Sequence, residues 1–180
     1  MINDEDIEFI FGPKGVMEMV EKAKKAGKIR FVGVTGHTDP AVLNRIISKY
    51  NFDTILMPLS VTDGGNRQKS FEQDTLPLAR SNGMGVIAMK TLGAGAILQN
   101  KAATRAECLK YVWSLPISTA ILGCQEIGQV EANIAQARTV KPLAAAEMER
   151  LRERVRAMEI ASMEPWKQVV PGPEARYGAD

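Results

Sequence analysis

Residues 28–40 read KIRFVGVTGHTDP, a short apolar run that leads directly into a loop of small and polar residues. The aromatic and β-branched side chains of residues 29–34 are typical of a strand that is covered on both faces in a parallel sheet. Pro40 suits the first turn of a following helix, with Thr38 or Asp39 as its N-cap. In parallel α/β folds the carboxyl ends of the strands bind ligands, so this loop is a candidate site.

The same pattern of strand, loop and helix recurs three more times along the chain. Further strands are predicted to start near residues 54, 85 and 118, and a helix is predicted after each of them. This period lies within the range of a βα repeat. Two architectures fit: a self-contained doubly wound sheet, or half of a (β/α)8 barrel, which normally takes about 250 residues.

No coil-rich linker interrupts the repeats, and the predicted divisions of the chain follow from them. We expect a loop remnant at 1–12, half-barrel strand–helix units at 13–141, a C-terminal helix at 142–164 and an extended tail at 165–180. Three prolines and two glycines in the last segment favour an extended conformation.

Two predictions concern segments outside the strands. Residues 60–70, SVTDGGNRQKS, are polar with paired glycines, which indicates a flexible loop of the kind that can form a lid. In the helix predicted after Gly128, the residues Val130, Ile134 and Ala137 have helical spacing and are expected to face the core.

Composition argues against several classes of partner. A net charge of +2 over 180 residues, without a basic run interleaved with aromatics, argues against nucleic acid. No apolar run reaches the ~18 residues of a membrane span, and the acidic start MINDEDIEF differs from a secretory signal. Cys108 and Cys124 are too few for a zinc knuckle or a disulfide framework, so we expect reduced thiols, no metal and a cytoplasmic location.

Four strings of sequence carry a family resemblance. GKIRFVGVTGHTDP, FDTILMPLS, GMGVIAMKTLGAG and ILGCQEIGQVEANI occur in this order between residues 12 and 137. They resemble a bacterial branch of the aldo-keto reductase family that reads GKIRxxGxTGHxDP, FDTxxMPL and GxGVxxMKxLGxG. The resemblance implies an α/β fold, the C-terminal half of a TIM barrel, in which the four strands are the fifth to eighth and a C-terminal helix follows. It also implies a nicotinamide dinucleotide, usually NADP(H), and a small carbonyl substrate in the intact protein.

The resemblance places the nicotinamide end of the cofactor on the first and third strands. Thr35 and Gly36 occupy positions that face the nicotinamide, although many relatives have an amide side chain in place of Gly36. Met89 replaces the aromatic residue on which the ring stacks in many relatives, and a thioether can make a similar contact. Leu56 stands where relatives usually place a glutamine on the carboxamide, so that hydrogen bond is expected to be missing.

The rest of the dinucleotide is assigned to the third and fourth strand ends. Gln129 stands where relatives often have a basic side chain for the 2′-phosphate, so NAD remains possible beside NADP. The residues expected near the pyrophosphate are Lys90, Leu92 and Gly93, and those expected near the adenosine are Gly123, Gln125, Gln129 and Asn133.

The resemblance also implies that this chain carries no catalytic residue. The family's catalytic Asp, Tyr, Lys and His lie on the first four strands, whereas Tyr50, Tyr111 and Tyr177 are expected on helices or in the tail. Carbonyl reduction needs a tyrosine acid tuned by lysine and histidine. We therefore expect a truncated or split reductase that is inactive alone. His37 is a candidate for the substrate edge, the alternative being a loop residue that bonds its own backbone.

Three functions remain open at this stage. The first is an oxidoreductase fragment that binds NAD(P)H and requires an N-terminal half-barrel for catalysis. The second is a non-catalytic half-barrel module that assembles with itself or with a partner half, because four parallel strands leave unpaired edges and an apolar inner face. The third is a flavodoxin-like open sheet that binds a small ligand.

Overall fold

The computed structural model of the protein describes residues 4–168, in which short helices alternate with four parallel strands. Two 3-10 turns accompany them, at Gly93–Gly95 and Pro165–Lys167. The helices and strands, in chain order, are α1 (Asp4–Phe11), α2 (Val16–Lys25), β1 (Gly33–Thr35), α3 (Pro40–Ile47), β2 (Thr54–Pro58), α4 (Val61–Gly65), α5 (Phe71–Asp74), α6 (Leu76–Ser81), β3 (Gly85–Met89), α7 (Ala96–Gln99), α8 (Arg105–Val112), β4 (Thr119–Ala120), α9 (Ile127–Thr139), α10 (Ala145–Arg156) and α11 (Ile160–Met163).

The four strands form one parallel sheet in the order β1-β2-β3-β4. Thr35 is in register with Leu56, Leu56 with Ile87, and Ile87 with Thr119. Positions in register face the same side of a sheet, and none of these four side chains is buried. The opposite face carries Ile55 and its register partner on β3, which are fully buried. Helices therefore cover one face of the sheet and leave the other open.

The open face excludes the doubly wound alternative, in which helices lie on both faces of the sheet. It also corrects the expectation that residues 29–34 form a doubly covered strand. Only Gly33–Thr35 is a strand, and the Phe31 side chain is 69% exposed. Phe31 is exposed because β1 is an edge strand, which pairs with β2 alone within the described part of the chain.

The core lies between the covered face of the sheet and the helices. The segments α3, α6 and α8 pack their apolar sides against it, as amphipathic helices on a sheet do. The largest fully buried apolar or aromatic side chains are Tyr111, Phe71, Leu43, Ile55, Met57, Leu59, Met84, Ile97, Leu109, Met163 and Val61.

The prediction of a loop remnant at 1–12 is wrong for residues 4–11, which form α1. Ile7 is buried in the core, and Glu8 forms an ion pair at 3.2 Å with Lys49, which lies just beyond the end of α3. The acidic composition of this segment suggested a loop. Burial of its apolar residues stabilises the helix instead.

The prediction of a flexible loop at 60–70 is also wrong. Its first half forms α4, in which every residue is buried. The Ser60 hydroxyl caps this helix by accepting from the Asp63 amide at 3.1 Å. Asp63 in turn accepts from the Phe71 and Glu72 amides at 3.0 and 2.8 Å, at the start of α5. The polar residues of the segment are therefore buried hydrogen-bonding groups.

The C-terminal segment differs from its prediction in two places. A helix is present within 142–164, but it divides into α10 and α11. The extended tail at 165–180 is wrong at its start, because Pro165–Lys167 forms a 3-10 turn with the Lys167 side chain buried. The remainder of that tail, 169–180, lies outside the described residues.

The inward-facing residues predicted for α9 are exposed instead. Val130 and Ile134 are 43% and 46% exposed, and Ala137 is also exposed. Because α9 follows β4, the other edge strand, no further βα unit of the described chain packs beyond it. Helical spacing identified the apolar side of this helix without showing that anything covers it.

Candidate functional site

The candidate site is the edge of the sheet at the carboxyl ends of the strands. Because all four strands are parallel, the segments that follow Thr35, Pro58, Met89 and Ala120 leave the sheet at this same edge. Adjacent strands lie about 4.8 Å apart, so the ends of β1 and β4 are about 14 Å apart. The structure thus brings the predicted site residues to one edge, spread along its length.

The β1 end lines a cavity of about 630 Å³ that also touches α1 and α3. Thr35, Gly36 and His37 contribute to its wall. The Gly36 amide donates to the Leu56 carbonyl at 3.2 Å, and a Cβ on Gly36 would lie 3.1 Å from the Leu43 side chain. A small residue therefore suits this position. A cavity of this size lies within the range of small-molecule sites.

His37 is exposed, and its Nδ1 lies 3.5 Å from the Thr38 hydroxyl oxygen. Its contact is therefore within the loop, although the ring also borders the cavity. Asp39 acts as the predicted helix cap, because its carboxylate accepts from the Ala41 amide at 2.9 Å. It also lies 3.3 Å from the Lys69 ammonium.

The β3 end is a tight turn built on left-handed backbone. Lys90 and Ala94 have positive φ of 57° and 52°, and Gly93 has 61°. The Gly93 amide donates to the Lys90 carbonyl at 2.7 Å, and a Cβ on Gly93 would lie 2.7 Å from Ile97. Glycine is therefore required there for both conformation and space. Met89 and Leu92, the other predicted cofactor residues of this turn, are half-buried beside it.

The Lys90 ammonium lies over the Trp166 ring, 5.4 Å from its centroid. This cation–π contact is the interaction that the structure shows for the Lys90 side chain within residues 4–168. The Trp166 indole Nε1 is buried and has no hydrogen-bond partner among those residues.

Lys167 anchors the segment that carries Trp166. Its ammonium donates to Asp63 Oδ1 at 2.5 Å, to the Lys69 carbonyl at 2.7 Å and to Glu164 Oε2 at 2.9 Å. The three charged side chains are at most 5% exposed. Burial raises the pKa of Asp63 to about 7, and the Lys167 charge opposes that rise. Sequence reasoning missed this cluster, because Asp63 and Lys167 are 104 residues apart.

The β4 end brings together three of the four predicted adenosine residues. The Gln129 Oε1 accepts from the Gln125 amide at 2.9 Å, and the Asn133 amide group donates to the Cys124 sulfur at 3.1 Å. Gly123 is exposed nearby in the chain, with no atom within 4 Å of where its Cβ would be. Arg105 also contacts this group, from the first position of α8.

Neither described tyrosine lies at a strand end. The Tyr50 hydroxyl donates to Glu21 at 2.5 Å, and this hydrogen bond raises the pKa of Tyr50 to about 12. The Tyr111 hydroxyl of α8 is buried and donates to Glu72 at 2.7 Å. Burial raises the pKa of Tyr111 above its ordinary value. Tyr177 lies outside the described residues.

Three further observations concern the thiols, membrane-spanning helices and clusters of metal ligands. Cys108 and Cys124 are free thiols, and burial raises the pKa of the Cys108 thiol to about 12. Across residues 4–168, no helix combines the length and hydropathy that spanning a bilayer requires. Nor does that part of the chain contain three or more His, Cys, Asp or Glu side chains arranged to hold a metal ion.

The fold and the site define an α/β protein with a four-stranded parallel sheet that helices cover on one face only. The candidate site lies along the edge of this sheet formed by the carboxyl ends of the four strands, and we call this edge the ligand edge. The model of the aldo/keto reductase family matches residues 5–108. The match covers more than half of the chain, and the chain therefore belongs to the aldo/keto reductase family. Among curated proteins, none matches the chain.

Solved structures of aldo-keto reductases share the fold. The Bacillus halodurans enzyme in its holo form superposes with a TM-score of 0.62 at 20% identity, over 78% of this chain and 55% of that one. Its apo form gives a TM-score of 0.63 at 22% identity, over 81% and 58%. The Gluconobacter oxydans glycerol dehydrogenase gives 0.54 at 17% identity, over 87% and 56%. At these identities the likeness shows the fold alone.

The chain therefore spans little more than half the length of these structures. Its four strand–helix units form the C-terminal half of a (β/α)8 barrel, with α10 following as a C-terminal helix. The half-barrel prediction is confirmed. The open face of the sheet corresponds to the inner wall of such a barrel, which explains why its side chains are not buried here.

Proposed function

We propose that this chain is the cofactor-binding half of an NAD(P)H-dependent aldo/keto reductase, which reduces a small carbonyl substrate in the intact protein. The observation that supports the proposal most is the order of residues along the ligand edge of the sheet. Thr35 follows β1, Lys90 follows β3, and Gln129 lies beyond β4. An extended dinucleotide laid along this edge passes each of them in turn.

In this proposal each strand end takes one part of the cofactor. Thr35 and Gly36 border the cavity at the β1 end and face the nicotinamide, with Met89 in contact with the ring. Lys90, with the backbone of Leu92 and Gly93, approaches the pyrophosphate, where an ammonium and closely packed backbone suit negative charge. The remaining residues, which take the adenosine, are Gly123, Gln125, Gln129 and Asn133.

The proton donor for carbonyl reduction comes from polypeptide that completes the barrel. Tyr50 and Tyr111 bond carboxylates away from the ligand edge, so neither is placed to protonate a substrate there. His37 borders the cavity, and in this proposal it lies at the edge of the carbonyl substrate. A cytoplasmic location agrees with two free thiols.

The test is a titration of the chain with NADPH, followed by tryptophan fluorescence. The chain has two tryptophans, and Trp166 lies beside Lys90. In the variant Trp113→Phe the remaining emission comes from Trp166. We expect saturable quenching of that emission by NADPH, because the pyrophosphate would bind within contact of the Lys90–Trp166 pair.

The matched control is Trp166→Phe, in which Trp113 alone reports. Trp113 ends α8 and should respond less to the same titration. Quenching of Trp113 with no change in Trp166 would place the ligand away from the β3 end and contradict the proposal.

The second candidate is a half-barrel module that assembles with itself or with a partner half. Exposed apolar side chains at both edges of the sheet favour it. Phe31, which precedes β1, is 69% exposed and Met19 of α2 is 65% exposed; Ile121, which follows β4, is 53% exposed and Ile127 of α9 is 79% exposed. Light scattering distinguishes the candidates. A stable monodisperse monomer counts against self-assembly, whereas a dimer that does not bind NADPH favours the module.

A further inference from the structure

Trp166 belongs to a stretch of chain that packs against the turn at the β3 end. Residues 160–168, here called the Trp166 segment, follow α10 and include α11. The Met163 side chain of this segment is buried, and its carbonyl oxygen would lie 3.3 Å from a Cβ on Gly93. The Trp166 ring lies on the other side of the turn, with its centroid 5.4 Å from the Lys90 ammonium. The Trp166 segment therefore contacts the β3 turn at two places.

The Trp166 ring has little freedom, because charged groups before and after it in the chain are buried and bonded. The Glu164 carboxylate accepts from the Asn66 side chain at 2.9 Å. Lys167 donates to Glu164 and to Asp63 of α4, and these three charged side chains are at most 5% exposed. A buried network in which every charge has partners is rigid. This network fixes the place from which the ring contacts the β3 turn.

Packing alone does not explain why this ring is an indole. The indole Nε1 is buried, and no residue among 4–168 accepts a hydrogen bond from it. A buried donor without a partner destabilises the folded state, and a phenyl ring would not have that donor. Tryptophan is, however, the aromatic side chain that attracts a cation most strongly over its face. The contact with the Lys90 ammonium therefore accounts for tryptophan at this position.

The two lysines in contact with this region differ in how their donors are used. A lysine ammonium has three N–H donors. The Lys167 ammonium has three oxygen acceptors, each within 2.9 Å. Within the described part of the chain, the half-buried Lys90 forms no ion pair, and its ammonium contacts the Trp166 ring. Because a ring face covers only one side of an ammonium, Lys90 is held in place and can still donate to an anion.

We propose that Trp166 is a positioning residue for Lys90 and directs its ammonium toward the diphosphate of a bound dinucleotide. This inference rests on the proposed function, which assigns the pyrophosphate to Lys90. A lysine is a point charge on a flexible stem, so a free side chain loses conformational entropy when it binds a ligand. The Trp166 ring removes part of that freedom beforehand, and such preorganisation strengthens binding.

The test compares ADP with adenosine, because only ADP carries a diphosphate. Dissociation constants are measured on the full chain by NMR titration. Trp166→Leu keeps an apolar side chain and removes the ring face. We expect it to weaken ADP binding about 3- to 10-fold, as loss of a cation–π contact does. Adenosine binding should change less than about twofold, which also shows that the variant is folded. Trp166→Phe keeps an aromatic face and should have an intermediate affinity for ADP.

A double-variant cycle shows whether Trp166 acts through Lys90. Lys90→Met should weaken ADP binding, and the further change Trp166→Leu should weaken it no more, because no cation remains for the ring to hold. The matched control is Trp113→Leu at the end of α8, which should leave the ratio of ADP to adenosine affinity unchanged. Equal losses for ADP and adenosine in Trp166→Leu, or additive losses in the double variant, would show that the ring only supports the fold and would overturn the inference.

Failure of this inference is distinguishable from failure of the proposed function. If the wild-type chain binds NADPH and Trp166→Leu leaves the ratio of ADP to adenosine affinity unchanged, only the role of Trp166 is refuted. If the wild-type chain binds neither NADPH nor ADP, the proposed function is refuted together with it.

Discussion

Purified alone, this chain is expected to give no carbonyl-dependent oxidation of NADPH above the rate without protein. A general acid contributes about 10²- to 10⁴-fold to such a reaction. The two described tyrosines have raised pKa values and donate to carboxylates, so neither can serve as that acid at the ligand edge. The measurement is NADPH absorbance with a panel of small aldehydes and ketones.

A second experiment supplies the strands of the other half of the barrel. Addition of an N-terminal half-barrel from a family member, with its catalytic tyrosine, should restore turnover, and the same half with that tyrosine changed to phenylalanine should not. The control within this chain is Tyr50→Phe, which should leave the restored rate unchanged. Turnover by the chain alone that is lost in Tyr50→Phe would place the acid in this half and contradict the account.

The substitution Lys167→Met is expected to cause the largest loss of stability of any single change considered. It removes the ammonium that Asp63 and Glu164 share and leaves both carboxyl groups buried without it. Removal of one partner from a buried ion pair costs about 3–5 kcal/mol of unfolding free energy. Chemical denaturation measures the loss, and Lys141→Met, which changes an exposed lysine, should stay within about 0.5 kcal/mol of the wild type.

The destabilisation of Lys167→Met should also depend on pH. Burial raises the pKa of Asp63 to about 7 from its usual 3.8, and loss of the Lys167 charge removes an effect that lowers it. A carboxyl group whose pKa is higher in the folded state stabilises that state at low pH, and the contribution is lost as pH rises through the folded pKa. The variant should therefore lose more stability at pH 8 than at pH 5. The same loss at both pH values would show that Asp63 is not the group affected.

Local signals in the sequence predicted the elements that local chemistry determines. The start of α3 is an example, because Asp39 caps the helix and Pro40 occupies its first position as expected. The strands near residues 54 and 85 are present as β2 and β3, and the strand near 118 as β4. The parallel order of these strands then places the predicted site residues at one edge. Their roles in cofactor binding remain predictions.

Features that depend on contacts between distant residues could not be predicted in this way. The polar segment 60–70 was expected to be flexible, yet Asp63 is buried because Lys167 reaches it from the far end of the chain. Arg105 gave no signal in the sequence, because only the packing of α8 against α9 brings it to Gln129. The exposed side of α9 was missed for a related reason: periodicity shows which side of a helix is apolar but not whether a neighbour covers it.

The most direct measurement of the central claim is a backbone amide NMR titration of the isotope-labelled chain with NADPH. The account predicts chemical-shift changes in one saturable event at Thr35, Lys90 and Gln129, since a single dinucleotide lies along the ends of all four strands. Changes confined to one strand end, or an unchanged spectrum at saturating NADPH, would contradict it.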